Sequence, residues 1–360
     1  MNILYITYID FGKFSSGSSV RPQKMYDAFL KEGHNVKLLE CQQNRYLTRN
    51  KKVFDTIKWL SKNTPDICYI ESPSGPIFNY IDLTLIKKIS KKNIPIGYFY
   101  RDAFWLLEKK DNKKENLKSK IIKRMNIHQL SFLEKFCDIV YMPSNMMIET
   151  FKLKTSFKKM DTLPPAMSSY KKNIRENRND ILNAIYVGGV SFEYGTDKLI
   201  KAFEILNESE IICNLILLCR ENEYKSFFRD EKDYDWLKVR HVEGEQLNKY
   251  YDMADFGVSP KTKYFYNDFA ISVKLFEYME HDLPIISSNV KEMGDFVEKN
   301  KIGIVYEDSV DGLVKSVRSV VANRDQLRVF SKNIENIAKN HYWTSRVKKI
   351  IYDLTKSNNK

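Results

Sequence analysis

The stretch Ser272-Val273-Lys274-Leu275-Phe276-Glu277-Tyr278-Met279, followed by Asp282-Leu283-Pro284-Ile285-Ile286-Ser287, decides how this chain is read. Lys274 stands three residues before Glu277 in a pattern that reads as a helix, so both side chains leave the same face. The β-branched run after Pro284 reads as a buried strand. A lysine at a helix start can meet a phosphate, because the free N–H groups of the first turn point the same way. A glutamate one turn on can accept two hydrogen bonds from the diol of a ribose. An i,i+3 ion pair on an ordinary surface helix has the same spacing, and the surrounding pattern has to separate the two readings.

Outward from this helix the second half alternates strand and helix: Asn183–Val187, Thr196–Asn207, Cys213–Cys219, Gln246–Ala254, Phe256–Ser259, then Val290–Lys299, Gly303–Tyr306 and Val310–Asn323. The segment Gln326–Leu354 reads as mostly helical. The first half repeats the scheme, with strands at Asn2–Tyr8, Asn35–Glu40, Ile67–Ile70, Ile94–Tyr100 and Asp138–Met142. Its helices fall at Val20–Glu32, Val53–Lys62, Tyr80–Lys92 and Leu117–Phe136. Such alternation implies α/β architecture with parallel sheets and right-handed crossovers. Pro164-Pro165 and the polar run Lys171–Asp180 mark a break. The expected organisation is a first domain at 1–165, a linker at 166–182, a second domain at 183–335 and a closing helix at 336–360. Doubly wound domains place ligands at the carboxyl ends of their strands, so a cleft between two facing domains is the expected site.

With 360 residues, 43% of them hydrophobic, the chain can bury two cores and is not of disordered composition. The five cysteines (Cys41, Cys68, Cys137, Cys213 and Cys219) form no CxxC and sit mostly in apolar runs, which favours a reducing compartment. No leader pattern and no apolar run of spanning length is expected, so the reading is cytoplasmic. The net charge is +13. Residues 1–170 hold 29 Lys+Arg against 16 Asp+Glu, and residues 171–360 hold 30 of each, so the excess lies in the first half. Much of it is Lys109, Lys110, Lys113, Lys114, Lys118, Lys120, Lys123 and Arg124. Such a surface suits an anionic membrane or a diphosphate-linked acceptor, and equally a solvated lysine-rich loop. No nucleic-acid motif accompanies it, and nucleic acid is not an expected partner.

Several segments carry a resemblance. They are Lys31-Glu32-Gly33-His34-Asn35-Val36, Ala184-Ile185-Tyr186-Val187-Gly188-Gly189, Tyr250-Tyr251-Asp252-Met253-Ala254-Asp255 with Val258-Ser259-Pro260, the opening stretch itself, and His341-Tyr342-Trp343. In this order they resemble GT-B glycosyltransferases over essentially the full length. The similar group is the bacterial, glycosyltransferase family 4-like one that builds capsule, exopolysaccharide or glycoprotein glycans. The resemblance implies two doubly wound Rossmann-like domains facing across a cleft, with a C-terminal helix crossing back to the first.

For the donor it implies that Glu277 binds the ribose hydroxyls and that Lys274 meets the diphosphate, with Leu275 between them and Val242 near the base. Gly188 and Gly189 would bring backbone N–H groups to the diphosphate. The chain departs from the pattern here: Gly189 and Tyr194 stand where many relatives have Arg and Lys. Arg220 is a candidate replacement, and an exposed arginine fits as well. The residue eight before Glu277 is Phe269, not the acid of the E-x7-E motif, and Asp268 is the neighbouring carboxylate.

In the first domain Gly17, Ser18 and Ser19 lie at a helix start that suits a phosphate or sugar, or simple capping. Arg21 is a candidate for the leaving diphosphate. Asp102 is a candidate general base on an acceptor hydroxyl, or else a helix cap. Trp105 can stack a sugar or pack in the core. No cofactor and no metal is expected. The expected activity is transfer of a hexose from a nucleotide sugar, with UDP favoured, to a glycan or polyprenyl-diphosphate-linked acceptor at the inner membrane face. The alternative is a non-catalytic GT-B subunit that activates a glycosyltransferase partner.

Overall fold

Twelve strands, all parallel, form two six-stranded sheets in the computed structural model, which describes residues 1–12, 17–106, 117–173, 181–228 and 233–356. The first sheet holds β1 (Asn2–Ile6), β2 (Asn35–Leu39), β3 (Ile67–Glu71), β4 (Ile96–Phe99), β5 (Ile139–Met142) and β6 (Met160–Thr162) in the order β2-β1-β3-β4-β5-β6. Helices α1 (Gly17–Lys31), α2 (Tyr46–Leu60), α3 (Tyr80–Lys91), α4 (Leu117–Phe136) and α5 (Asn145–Lys152) connect them. β3 is buried along its whole length, as expected of a parallel strand covered on both faces.

The second sheet holds β7 (Leu182–Val187), β8 (Cys213–Leu218), β9 (Leu237–Arg240), β10 (Phe256–Ser259), β11 (Ile285–Ser288) and β12 (Gly303–Tyr306), in the order β12-β11-β10-β7-β8-β9. Its helices are α6 (Thr196–Leu206), α7 (Glu221–Phe227), α8 (Asn248–Met253), α9 (Phe265–Phe269), α10 (Val273–Glu280), α11 (Lys291–Asn300), α12 (Val310–Ala322) and α13 (Asp325–Ala338). The strand order reverses between β7 and β10, which makes the ends of these two strands the switch point where a ligand is expected.

The chain divides into one unit of Met1–Pro165 with Trp343–Lys360 and another of Ala166–Tyr342. The last helix, α14 (Trp343–Lys356), belongs to the first unit, where it packs on α1. It leaves the second unit at Trp343, later than the expected 336. Arg346 of α14 is buried and donates through Nε to the Pro164 carbonyl and through Nη2 to that of Pro165, both at 3.1 Å. The segment read as a linker is divided: 166–173 pack with the second unit, and 174–180 lie outside the described residues.

At the switch point β7 and β10 pair only through Phe256↔Ala184 and Gly257↔Ile185. Beyond them the Tyr278 hydroxyl takes over. It accepts from Val187 N and donates to the Val258 carbonyl, each at 3.2 Å. Gly257 makes room for that ring, because a Cβ there would lie 2.5 Å from it.

Candidate functional site

The helix that carries Lys274 and Glu277 is held on one face and open on the other. Ser272 caps it, its Oγ accepting from Lys274 N at 3.2 Å. Leu275, Phe276, Tyr278 and Met279 are buried, which leaves the Lys274 and Glu277 side chains 31% and 28% exposed. Lys274 Nζ and the Tyr251 hydroxyl both donate to Glu277 Oε2 at 2.6 Å. Among the described residues no hydrogen bond reaches Oε1. Tyr251 is buried on α8 and stacks on His281 with ring centroids 4.4 Å apart. Burial first, then the Glu277 charge, holds its hydroxyl well above the usual phenol range, so it stays a donor. The ion pair is real, as the plain surface reading requires. Its carboxylate is nevertheless oriented from one side and unfilled on the other.

Tyr251 was not assigned a role from the sequence. Its partner lies 26 residues on, and only the fold brings α8 to α10. Leu275 corrects an expectation. It is 0% exposed, so its side chain is core and only its backbone could face a ligand. Val242 packs against the same cluster that contains Tyr251 and Leu275.

The glycine turn after β7 is partly committed. Gly188 N donates to the Leu218 carbonyl at 3.0 Å, so this amide serves the sheet and not an anion. A Cβ on Gly188 would lie 2.8 Å from the Tyr186 hydroxyl, and one on Gly189 2.7 Å from the Tyr194 ring. Tyrosine side chains thus cover both glycines closely, and of the two amides Gly189's is the one not taken among the described residues. Arg220 reaches this turn indirectly. Its Nη1 donates to Glu223 Oε1 at 2.7 Å, while Glu223 Oε2 accepts from Val190 N at 3.3 Å. Asp268 is placed as a cap, its Oδ1 accepting from Lys291 N at 3.0 Å at the start of α11.

In the first unit Asp102 follows β4 and has its pKa pushed up to about 6, chiefly by burial. The nearby Arg101 charge and a hydrogen bond from the Phe104 backbone N–H oppose that shift. The same carboxylate thus accepts a backbone hydrogen bond and is held closer to neutrality than a free aspartate. Trp105 is a packing residue: Nε1 donates to the Tyr100 hydroxyl at 2.9 Å, and the ring meets Phe151 edge-on. Arg21 departs from its expected role. It is 5% exposed, its Nε donates to Glu71 Oε1 at 3.0 Å, and its guanidinium lies 3.6 Å over the Phe99 ring. It forms an interior ion pair through Nε, and its Nη1 and Nη2 are buried with no hydrogen-bond partner among the described residues. Gly17, Ser18 and Ser19 open α1, but 13–16 lie outside the described residues. Of the basic run, Lys118, Lys120, Lys123 and Arg124 lie on α4, and Lys109, Lys110, Lys113 and Lys114 lie outside the described residues. Among the described residues no three His, Cys, Asp or Glu side chains gather as a metal site would require, and no helix is long and apolar enough to cross a membrane.

Residues 169–337 match the model of the family described as glycosyl transferases group 1. That stretch, just under half of the chain, is thus similar in sequence to group 1 glycosyl transferases. It coincides closely with the second unit and contains the Lys274–Glu277 helix, the glycine turn and Tyr251. No curated protein sequence matches the chain. Solved structures are similar in fold across both units. WaaG, a glycosyltransferase involved in lipopolysaccharide biosynthesis, is 14% identical with a TM-score of 0.65, covering 98% of this chain and 99% of WaaG. A glycosyltransferase from Rickettsia africae ESF-5 is 10% identical with a TM-score of 0.69, covering 99% of this chain and 98% of the other. Anabaena Alr3699/HepE, in complex with UDP, is 12% identical with a TM-score of 0.66, covering 99% of this chain and 100% of HepE. HepE has also been solved with UDP-glucose. The two six-stranded Rossmann-like units are those of the GT-B fold.

Proposed function

We propose that this chain transfers a hexose from a UDP sugar to a glycan or polyprenyl-diphosphate-linked acceptor, in the assembly of a bacterial surface polysaccharide or glycoconjugate. The observation that carries the reading is Glu277. It is a partly exposed carboxylate in the stretch that matches group 1 glycosyl transferases, oriented by Tyr251 and Lys274 through one oxygen, with the other open to a ribose diol. The UDP and UDP-glucose complexes of HepE support uracil as the base. Lys274 lies one turn from Glu277 and would turn to the diphosphate as charge develops on it. Stabilising that leaving charge is the main catalytic task, and in this reading side chains and backbone N–H groups perform it without a metal. The test is product formation: labelled hexose from a UDP sugar moves to a lipid-linked glycan acceptor. A folded chain that binds the nucleotide but moves no label, alone or with acceptor, would favour the activating-subunit reading instead.

The acceptor role falls to the first unit, with Asp102 as base. A base must be deprotonated to act, and the Asp102 pKa is about 6. The transfer rate should therefore fall as pH drops through about 6, roughly tenfold per unit. Asp102→Asn keeps an acceptor for the Phe104 N–H. It should remove that limb and lower kcat roughly 10²- to 10⁴-fold. A pH–rate profile unchanged in Asp102→Asn would leave that carboxylate as a cap only.

The basic face of α4 would bring the enzyme to anionic lipid at the cytoplasmic side of a membrane. Binding to phosphatidylserine vesicles should be strong at low salt and largely gone by about 0.5 M, because exposed charges are screened. Binding indifferent to salt, or none at all, would remove the membrane from the account.

A further inference from the structure

The loop after β10 carries Lys261, a cation outside the Lys274–Glu277 helix and the glycine turn. β7 and β10 are paired neighbours, so Gly188-Gly189 and Pro260-Lys261 leave the sheet side by side. The two loops are stitched together. Thr262 N and Asn267 Nδ2 donate to the Glu193 carbonyl at 3.3 and 3.1 Å, and Thr262 Oγ1 donates to the Phe192 carbonyl at 2.6 Å. Gly195, at φ +69°, presses so close that a Cβ there would lie 1.8 Å from the Pro260 carbonyl oxygen. Ser288 at the end of β11 donates to the Lys261 carbonyl at 2.6 Å, which fixes the lysine backbone from the other side.

The Lys261 ammonium lies 5.8 Å from the centroid of the Tyr194 ring, the ring that packs over Gly189. It thus stands beside the glycine turn at the switch point. Lys274 and Arg220 are each paired with a carboxylate, but among the described residues none pairs with Lys261. Burial lowers its pKa to about 8. A cation drawn from water and left without a counter-ion is costly, and an arriving anion offsets that cost. The turn after β7 has no Arg or Lys of its own to offer a diphosphate, since Gly189 and Tyr194 occupy those positions.

We infer that Lys261 binds the diphosphate of the sugar nucleotide, supplying from the loop after β10 the cation that the glycine turn after β7 lacks. The inference rests on the donor-site reading above. It explains how the chain can dispense with basic residues in the turn and still hold a doubly charged leaving group. It also places the cation on a rigid support tied to β7, β10 and β11 at once.

The test is calorimetric titration of UDP into the native chain, Lys261→Met, Lys261→Arg and Glu277→Gln, with uridine binding followed by ligand-observed NMR. Loss of a charge-assisted contact to phosphate should weaken UDP roughly 10- to 100-fold in Lys261→Met. Uridine, which has no phosphate, should bind the native chain and Lys261→Met alike. Lys261→Arg should keep UDP affinity within a few-fold, because it keeps the charge, and it remains informative if the methionine variant folds poorly. Native UDP affinity in Lys261→Met, with Glu277→Gln defective, would overturn the inference and leave the donor site standing. An equal loss of uridine and UDP would mark Lys261 as a packing residue. A native chain that binds no nucleotide would overturn both.

Discussion

Glu277→Gln should lower kcat/KM for sugar transfer roughly 10²- to 10⁴-fold, the loss of two hydrogen bonds to a charged acceptor. The amide keeps the shape of the carboxylate but cannot serve both of its sides. Two donors, Lys274 Nζ and the Tyr251 hydroxyl, converge on Oε2. If the amide oxygen stays there, the NH2 group faces the ribose diol as a second donor where an acceptor is needed. If the amide turns over, its NH2 group faces an ammonium and a hydroxyl hydrogen. Either arrangement loses the diol or the support. Tyr251→Phe removes the support alone, and its effect should be smaller, about tenfold. Steady-state release of UDP checks both variants. Unchanged kinetics in Glu277→Gln would reduce the pair to the surface ion bridge that its spacing also allows.

Arg49→Met should cost the first unit about 3–5 kcal/mol of stability, the loss seen when one partner of a buried ion pair is removed. Arg49 and Asp82 are 0% and 1% exposed. Arg49 Nε and Nη2 donate to Asp82 Oδ1 at 3.0 and 2.6 Å, and Nη1 donates to the carbonyls of Thr7 and Cys41 at 2.7 and 3.0 Å. One guanidinium thus ties α2 to α3 and to the chain just beyond β1 and β2. Without it Asp82 is left as a buried charge with no partner of opposite sign. The double variant Arg49→Met/Asp82→Leu should recover part of the loss, because the stranded charge is gone. Urea denaturation of the three variants reads the cycle. A loss below about 1 kcal/mol in Arg49→Met would mean that water or a rearranged neighbour replaces the arginine.

The same residue explains why some elements are legible in the sequence and others are hidden. The buried stripe of α2 is Arg49, Val53, Thr56 and Leu60. A search for apolar periodicity starts that helix at Val53 and leaves Tyr46–Lys52 as loop, because a buried arginine looks like a surface one until its partner is known. α14 repeats the case. Arg346 and Asp353 point inward, so Trp343–Lys356 merges with α13 into one polar-looking helical tail. β6 is Met160-Asp161-Thr162, half-buried throughout, and joins the sheet through backbone pairing with β5 that leaves no side-chain pattern. By contrast β3, β4, β7 and β8 are mostly buried apolar runs, legible at once.

The candidate site divides in the same way. Lys274 and Glu277 were legible because one helix supplies both. Tyr251 and Lys261 were not, because strand pairing and helix packing bring them in from other parts of the chain. The Gly188 amide, the Asp268 cap and the Arg21–Glu71 pair show what spacing alone hides, that a group suited to a ligand can also have a partner inside the protein.

The central claim is a nucleotide-sugar site in the second unit. Calorimetric titration of the native, folded chain with UDP, GDP and ADP, at matched pH and salt, tests it most directly. The account predicts that UDP binds with a stoichiometry of one and that GDP and ADP bind at least tenfold more weakly. No heat from any of the three, in a chain whose folding is verified in the same sample, would contradict it.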